Sequence, residues 1–299
     1  MHRYLAVAGL FLASCSCSGG TASGGGPTPY VRCAAAEAAV IDRQIGSLHA
    51  RSSGRVLTVD GATTPLRVAV FRGAALADEP IAPALDSIEA LRPAIAVVLG
   101  SIGDEAHATA LVEALAQLAI PTLVVLGGRD RQDVLARAIA DLPSSSAGLV
   151  VDVSPYRSVQ IAGMELIPAA GAPDGRYAVD DAACGLGPAD VESIVAEVGS
   201  SGTQRFLIGF AGPSPLRGIE HGEAGSALVH ELATRVSTTS GIFAWPDVPT
   251  AVPRAPSPAF VLAPPLLGPS AELADGSRLP PGPLLLELSQ AGLCAPAAP

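Results

Sequence analysis

From Leu66 onward, short uninterrupted apolar runs alternate with longer segments whose apolar residues recur every three or four positions. The first pattern belongs to strands covered on both faces and the second to helices with one buried face, and their alternation predicts an α/β fold. The runs predict strands at Leu66–Phe71, Ile95–Leu99 and Thr122–Leu126, with helices at Pro83–Leu91, Glu105–Gln117 and Arg131–Ala140. The short connections argue that these strands share one sheet. Val159–Ile161 and Glu165–Ile167 flank Ala162-Gly163, which predicts a hairpin turn. A helix at Ala189–Val198, a strand at Arg205–Phe210, a helix at Ala224–Arg235 and a strand at Gly241–Ala244 follow. Eleven prolines from Pro246 to Pro283 predict a loop-rich region with short strands near Phe260 and Leu285. Ahead of all this, the alanine-rich stretch Cys33–His49 reads as a helix.

The N-terminus has a different pattern. His2 and Arg3 form a basic head, Leu5–Ala13 an apolar stretch, and Leu12-Ala13-Ser14-Cys15 a small-residue cleavage site. The apolar stretch is about nine residues, short of the roughly twenty a membrane-spanning helix needs, so residues 1–14 read as a secretory signal. Leu-Ala-Ser-Cys resembles the lipobox of bacterial lipoproteins, which implies cleavage before Cys15 and acylation of that cysteine. The alternative is a soluble exported protein with an ordinary Cys15. Ser16 after the cysteine implies, by the family's rule, the outer membrane. Residues 15–32 then read as the lipidated cysteine and a tether rich in Gly, Ser, Thr and Pro, and residues 33–299 as a single domain.

Composition narrows the partners. The chain has 299 residues and a formal net charge of −10, and every cation apart from histidine is arginine. No basic patch is visible, which argues against nucleic acid and leaves a membrane, reached through lipid, and an envelope protein or glycan as expected partners. Beyond Cys15, four cysteines remain in an oxidising compartment. A Cys33–Cys294 disulfide would join the ends of the domain, with Cys184 as the alternative partner.

The order of elements and turn residues between Leu66 and Trp245 resembles the calcineurin-like metallophosphoesterases. That resemblance implies a four-layer αββα sandwich with two metal ions at the strand ends. The family's ligand motifs do not follow. The first strand runs into Arg72-Gly73-Ala74 where Asp-x-His would stand, and the second into Gly100-Ser101, with serine in place of the bridging aspartate. The third ends in Gly127-Gly128-Arg129-Asp130, of which only the glycine and Asp130 fit. Ala211 occupies a histidine's place before Gly212-Pro213, and Ala244-Trp245 stands where Gly-His-x-His is expected. Serine, arginine and alanine cannot rebuild a dinuclear cage, so the resemblance implies a noncatalytic scaffold with neither metal nor cofactor.

Several polar residues keep two readings. Asp130 reads as a helix N-cap, with a relic ligand as the alternative. Asp104 and His107 open a helix and could share a metal, or serve as an N-terminal acid beside an exposed histidine. His230-Glu231 begins a zinc-protease motif that Thr234 breaks. Ser226 and His230 lie one turn apart without a nucleophile elbow, and read as a solvated helix face. Asp180, Asp181 and Cys184 read as an acidic loop beside a disulfide, with calcium the alternative. A divergent hydrolase would have to draw its ligands from Asp104, His107, Asp130, His221 and His230.

Overall fold

The computed structural model describes residues 30–73, 81–143, 146, 150–173, 181–198, 203–212, 226–238, 240–244, 260–264, 266–267, 271–272, 278–279 and 281–294. The chain opens with a short 3-10 turn, Cys33–Ala35, and an antiparallel meander of β1 (Asp42–Ile45), β2 (Leu48–Ser53) and β3 (Val56–Asp60). The expected helix over Cys33–His49 is therefore absent. Its alanines made the stretch look helical, but its apolar positions from Ile45 to Val59 face inward at strand spacing.

Next come β4 (Leu66–Phe71), α1 (Ala82–Leu91), β5 (Ile95–Leu99), α2 (Glu105–Ala116), β6 (Thr122–Val125), α3 (Gln132–Ala140) and β7 (Val150–Asp152). The hairpin forms as expected from β8 (Ser158–Ile161) and β9 (Met164–Ala169), with Ala162 and Gly163 both at positive φ, as a two-residue turn of this twist requires. Then follow β10 (Ala172–Pro173), β11 (Gly185–Leu186), α4 (Pro188–Val198), β12 (Arg205–Gly209), α5 (Ala227–Arg235), β13 (Gly241–Phe243) and β14 (Phe260–Leu262). The chain closes with β15 (Ala271–Glu272), β16 (Arg278–Leu279), β17 (Leu284–Ser289) and β18 (Gly292–Cys294).

Two large sheets organise these elements. One has the order β18-β17-β4-β5-β6-β7, and the other β1-β2-β3-β8-β9-β12-β13-β14. The continuous apolar runs resolve into alternating duties. Val68, Val70, Val97, Leu99 and Val125 join a core shared with Leu166, Phe206, Ile208 and Ile242 of the second sheet. Their neighbours Ala69, Phe71, Ala96, Val98 and Val124 pack instead with residues of α1, α2 and α3. In the second sheet Ile167, Leu207 and Phe243 pack with α4 and α5. Where both faces are covered, as at β5 and β6, the strand sequences show no polar alternation.

The N-terminal segment is fixed to this body by several attachments. Cys33 and Cys184 form a disulfide, Val31 bridges to Cys184, Arg32 donates to the buried Asp190 at 2.7 Å, and the Tyr30 ring occupies the space a side chain at Gly185 would need. Cys33 thus pairs with the alternative partner and not with Cys294. Cys294 lies in β18, the edge of the six-stranded sheet opposite β7, and is exposed and free. Tyr30, Val31 and Arg32 thus pack on the body. The bridge closes a loop of 151 residues, so the Cys33→Ala/Cys184→Ala chain is expected to lose about 2–4 kcal/mol of stability in denaturant unfolding. In the native chain a thiol reagent is expected to label Cys294 but to reach Cys33 and Cys184 only after reduction.

Candidate functional site

The strand ends that the sequence singles out do converge. The Gly73 amide after β4 donates to the Gly100 carbonyl after β5 at 2.9 Å, and the Gly100 amide donates to Val125 at the end of β6 at 2.8 Å. Gly100 and Ser101 both adopt left-handed backbone, with φ of 65° and 59°. Successive residues of this kind turn their amides toward one concave point, a geometry suited to an anion. The anion present is the chain's own. Asp130 is fully buried, and its carboxylate accepts the Ile102 amide at 2.9 Å and the Gly127 amide at 2.7 Å. The amides of Ser101 and Gly103 add to the same field.

Asp130 is therefore not the cap of α3. That position belongs to Arg131, whose side chain makes no cap hydrogen bond, and Asp130 instead ties the turn after β5 to the turn after β6. No cation faces the carboxylate among the causes that set its acidity. Burial pushes its pKa up to about 6, against the amides of Gly127 and Ile102, which pull it down.

There is little free space at this crossing. A side chain at Gly73 would collide with the Ser101 carbonyl oxygen, and one at Gly127 would lie 2.5 Å from the Phe210 ring. Phe210, which follows β12, thus brings the second sheet against the turns of the first. Ala211 beside it is buried, Gly128 is buried, Ser101 is half-buried and Arg129 points to solvent. Trp245 and His221 lie outside the described residues. Among the described residues, no three His, Cys, Asp or Glu side chains stand close enough to hold a metal ion. The donors present do not fit the two-metal centre that the family resemblance implies, since its strand-end carboxylate is engaged with backbone amides.

The other sequence candidates are dispersed. Asp104 caps α2, accepting the His107 amide at 3.1 Å and the His107 ring at 2.8 Å, and these hydrogen bonds hold its carboxyl below the usual range. Ser226 caps α5 through the Val229 amide and is buried, while His230 is exposed. The side chains of Ser226 and His230 therefore serve different environments. Asp181 is exposed, Cys184 is in the disulfide, and Asp180 lies outside the described residues.

Nothing in the residue pattern marks Phe210 as a closing residue or points to the groove beside β7. That groove, of about 880 Å³, runs between the segment 36–43, α3 and β7. Asp152, half-buried in its wall, accepts the Ser154 amide at 2.9 Å, and burial raises its pKa.

No protein-family model matches the chain. No curated protein matches it either. One solved crystal structure is 16% identical over 77% of this chain and 98% of its own, with a TM-score of 0.52. At that identity the likeness concerns the fold alone, and it agrees with an α/β class. TT1561 of Thermus thermophilus is 13% identical over 68% of this chain and 90% of its own, with a TM-score of 0.46, too loose a likeness to carry an argument.

Two measurements test the role of Asp130. Its folded pKa of about 6 exceeds the ordinary 3.8, so the folded state holds a proton that the unfolded state releases. Its contribution to stability is therefore fully present below pH 4 and falls as pH rises to 6, by about 2–3 kcal/mol. Comparing unfolding of the native chain and Asp130→Asn across this window should show the Asp130 share of the slope vanish in the variant. Gly127→Ala, which must displace the Phe210 ring, is expected to cost about 1–3 kcal/mol in the same assay.

Proposed function

We propose that the chain is a bacterial envelope lipoprotein whose α/β body is a metallophosphoesterase-like scaffold used for contact and not for catalysis. The lipobox-like Leu12-Ala13-Ser14-Cys15 supports the anchor, since a thioether-linked diacylglyceryl group with a further acyl chain suffices to hold a protein on a bilayer. The three cores support a four-layer αββα order: helices α1–α3, the six-stranded sheet, the eight-stranded sheet, and helices α4 and α5.

The observation that carries the noncatalytic reading is the engagement of Asp130. In-line attack on phosphorus by a metal-bound hydroxide needs carboxylates and imidazoles directed at the ions. Here Asp130, the acid at the crossing of the turns after β4, β5 and β6, is turned into an amide nest, Ser101 stands at the bridging position, and the Phe210 ring packs against Gly127. Metal chemistry would require that nest to open. The partner expected under this reading is an envelope protein or glycan met at the membrane surface.

Two assays on the full chain test the reading. Grown with a clickable palmitate analogue, cells are expected to label the chain and retain it in the membrane fraction, whereas Cys15→Ala loses the label. With manganese or zinc and a generic phosphodiester, no turnover above buffer is expected. Metal-dependent turnover that Asp130→Asn abolishes, with the circular dichroism unchanged, would establish the divergent hydrolase instead.

A further inference from the structure

The groove beside β7 has features that the strand-end crossing lacks. Among the described residues β7 is the last strand of its sheet, paired only with β6. The Val153 amide donates to Val124, so in this parallel register the backbone groups of Val151 and Val153 face β6. Those of Val150 and Asp152 then face the groove. Across from them runs the extended segment 37–41. It is held from behind, since the Tyr156 hydroxyl donates to the Ala39 carbonyl at 2.5 Å and the Ile41 amide donates to Ser52 Oγ at 2.8 Å. Arg157 and Arg55 hold the Ala34 carbonyl just before it, at 2.6 and 2.9 Å.

The groove's apolar surface is also exceptional for this molecule. Among the described residues, the two exposed large apolar side chains are Val31, at 43% exposure, and Val40, at 94%, and both border it. Ile41, Ile139 and Val151 continue the apolar lining. Exposed apolar side chains gathered at one concavity mark a contact surface. The lining carries acids as well: Asp133 is paired with Arg131 and Arg137 and Asp42 with His49, whereas Glu37 and Asp152 make no ion pair among the described residues. Asp152 is the one on β7 itself.

We propose that this groove receives an extended peptide strand that pairs with β7, places apolar side chains between Ile41 and Ile139, and sets a basic side chain against Asp152. Edge backbone supplies affinity in such pairing, and pockets for alternate side chains supply selectivity. The acidic lining selects a cationic segment over a neutral one. The inference rests on the reading that the chain works by contact, and it specifies where that contact is made and with what chemistry.

The test uses the full chain in detergent and an acetylated, amidated heptapeptide alternating valine and arginine. Micromolar binding is expected by calorimetry, with hydrogen exchange slowed at the Val150 and Asp152 amides. Asp152→Asn, which keeps an oxygen for the Ser154 amide, is expected to weaken binding about tenfold, the loss of a charge-assisted bond. Ala136→Trp, at an exposed position on α3 lining the groove, should block it without touching the core. Methylating the peptide's alternate amides should abolish binding, and a valine and glutamate peptide should not bind.

The proposal is overturned if the heptapeptide does not bind, if Asp152→Asn and Ala136→Trp leave its affinity unchanged, or if the methylated peptide binds equally. It is overturned as well if dodecylammonium protects the same amides and displaces the peptide at equal affinity, since the groove would then serve a small amphiphilic cation. Failure here with no metal-dependent turnover leaves the contact reading standing. Failure together with such turnover removes both.

Discussion

Much of the molecule hangs on a carboxylate that meets no cation among the described residues. Asp130 gathers amides from the turns after β5 and β6, and its own backbone carbonyl accepts the Cys184 amide at 3.0 Å. Cys184 in turn holds Cys33 by disulfide and Val31 by a bridge. A single residue thus couples the strand-end turns of the six-stranded sheet to the attachment of the N-terminal segment. That segment forms one wall of the groove beside β7. The turn chemistry at Gly100-Ser101 and the position of segment 37–41 are therefore not independent features.

The other buried charges show how unusual this compensation is. Glu165 is paired with Arg205 at 2.8 Å and also accepts the Ser158 hydroxyl at 2.7 Å. Asp190 takes both the Arg32 guanidinium and the Gly187 amide. Each of these acids meets a formal positive charge. Among the described residues Asp130 meets dipoles alone, and burial raises its pKa because neutral donors do not fully replace lost hydration. An acid evolved to bridge cations would face outward and find its countercharge in the metal. Here Asp130 turns inward to amides, one of them from Gly127, which the Phe210 ring approaches closely.

What was legible in the sequence follows from how local each determinant is. The strands β4, β5 and β6 were visible because burial on both faces leaves an unbroken apolar run that few other structures produce. The Ala162-Gly163 hairpin was visible because its turn imposes a demand on two adjacent residues. The meander β1–β3 was hidden by alanines at its start, and β7 by having only three residues. The disulfide could not be deduced, since connectivity depends on which chain segments meet. Asp130 looked like a cap because it stands just ahead of α3. Its Gly127 partner is local, but Ile102 follows the left-handed turn at Gly100-Ser101, nearly thirty residues earlier, and nothing near Asp130 announces that turn.

The same geometry bears on how the groove would be presented under the lipid-anchor reading. A Gly, Ser and Thr tether of this length has an r.m.s. reach on the order of 20 Å. It joins the body at Tyr30, and Val31 already borders the groove. An anchored chain would therefore carry the groove at the tether end of the body. Tension on the tether would fall on the Arg32–Asp190 pair and the Cys33–Cys184 bridge, which lie between the tether and segment 37–41. The covalent bridge keeps such tension from pulling that segment away from β7. Anchoring and an ordered groove are thus compatible because the disulfide lies between them.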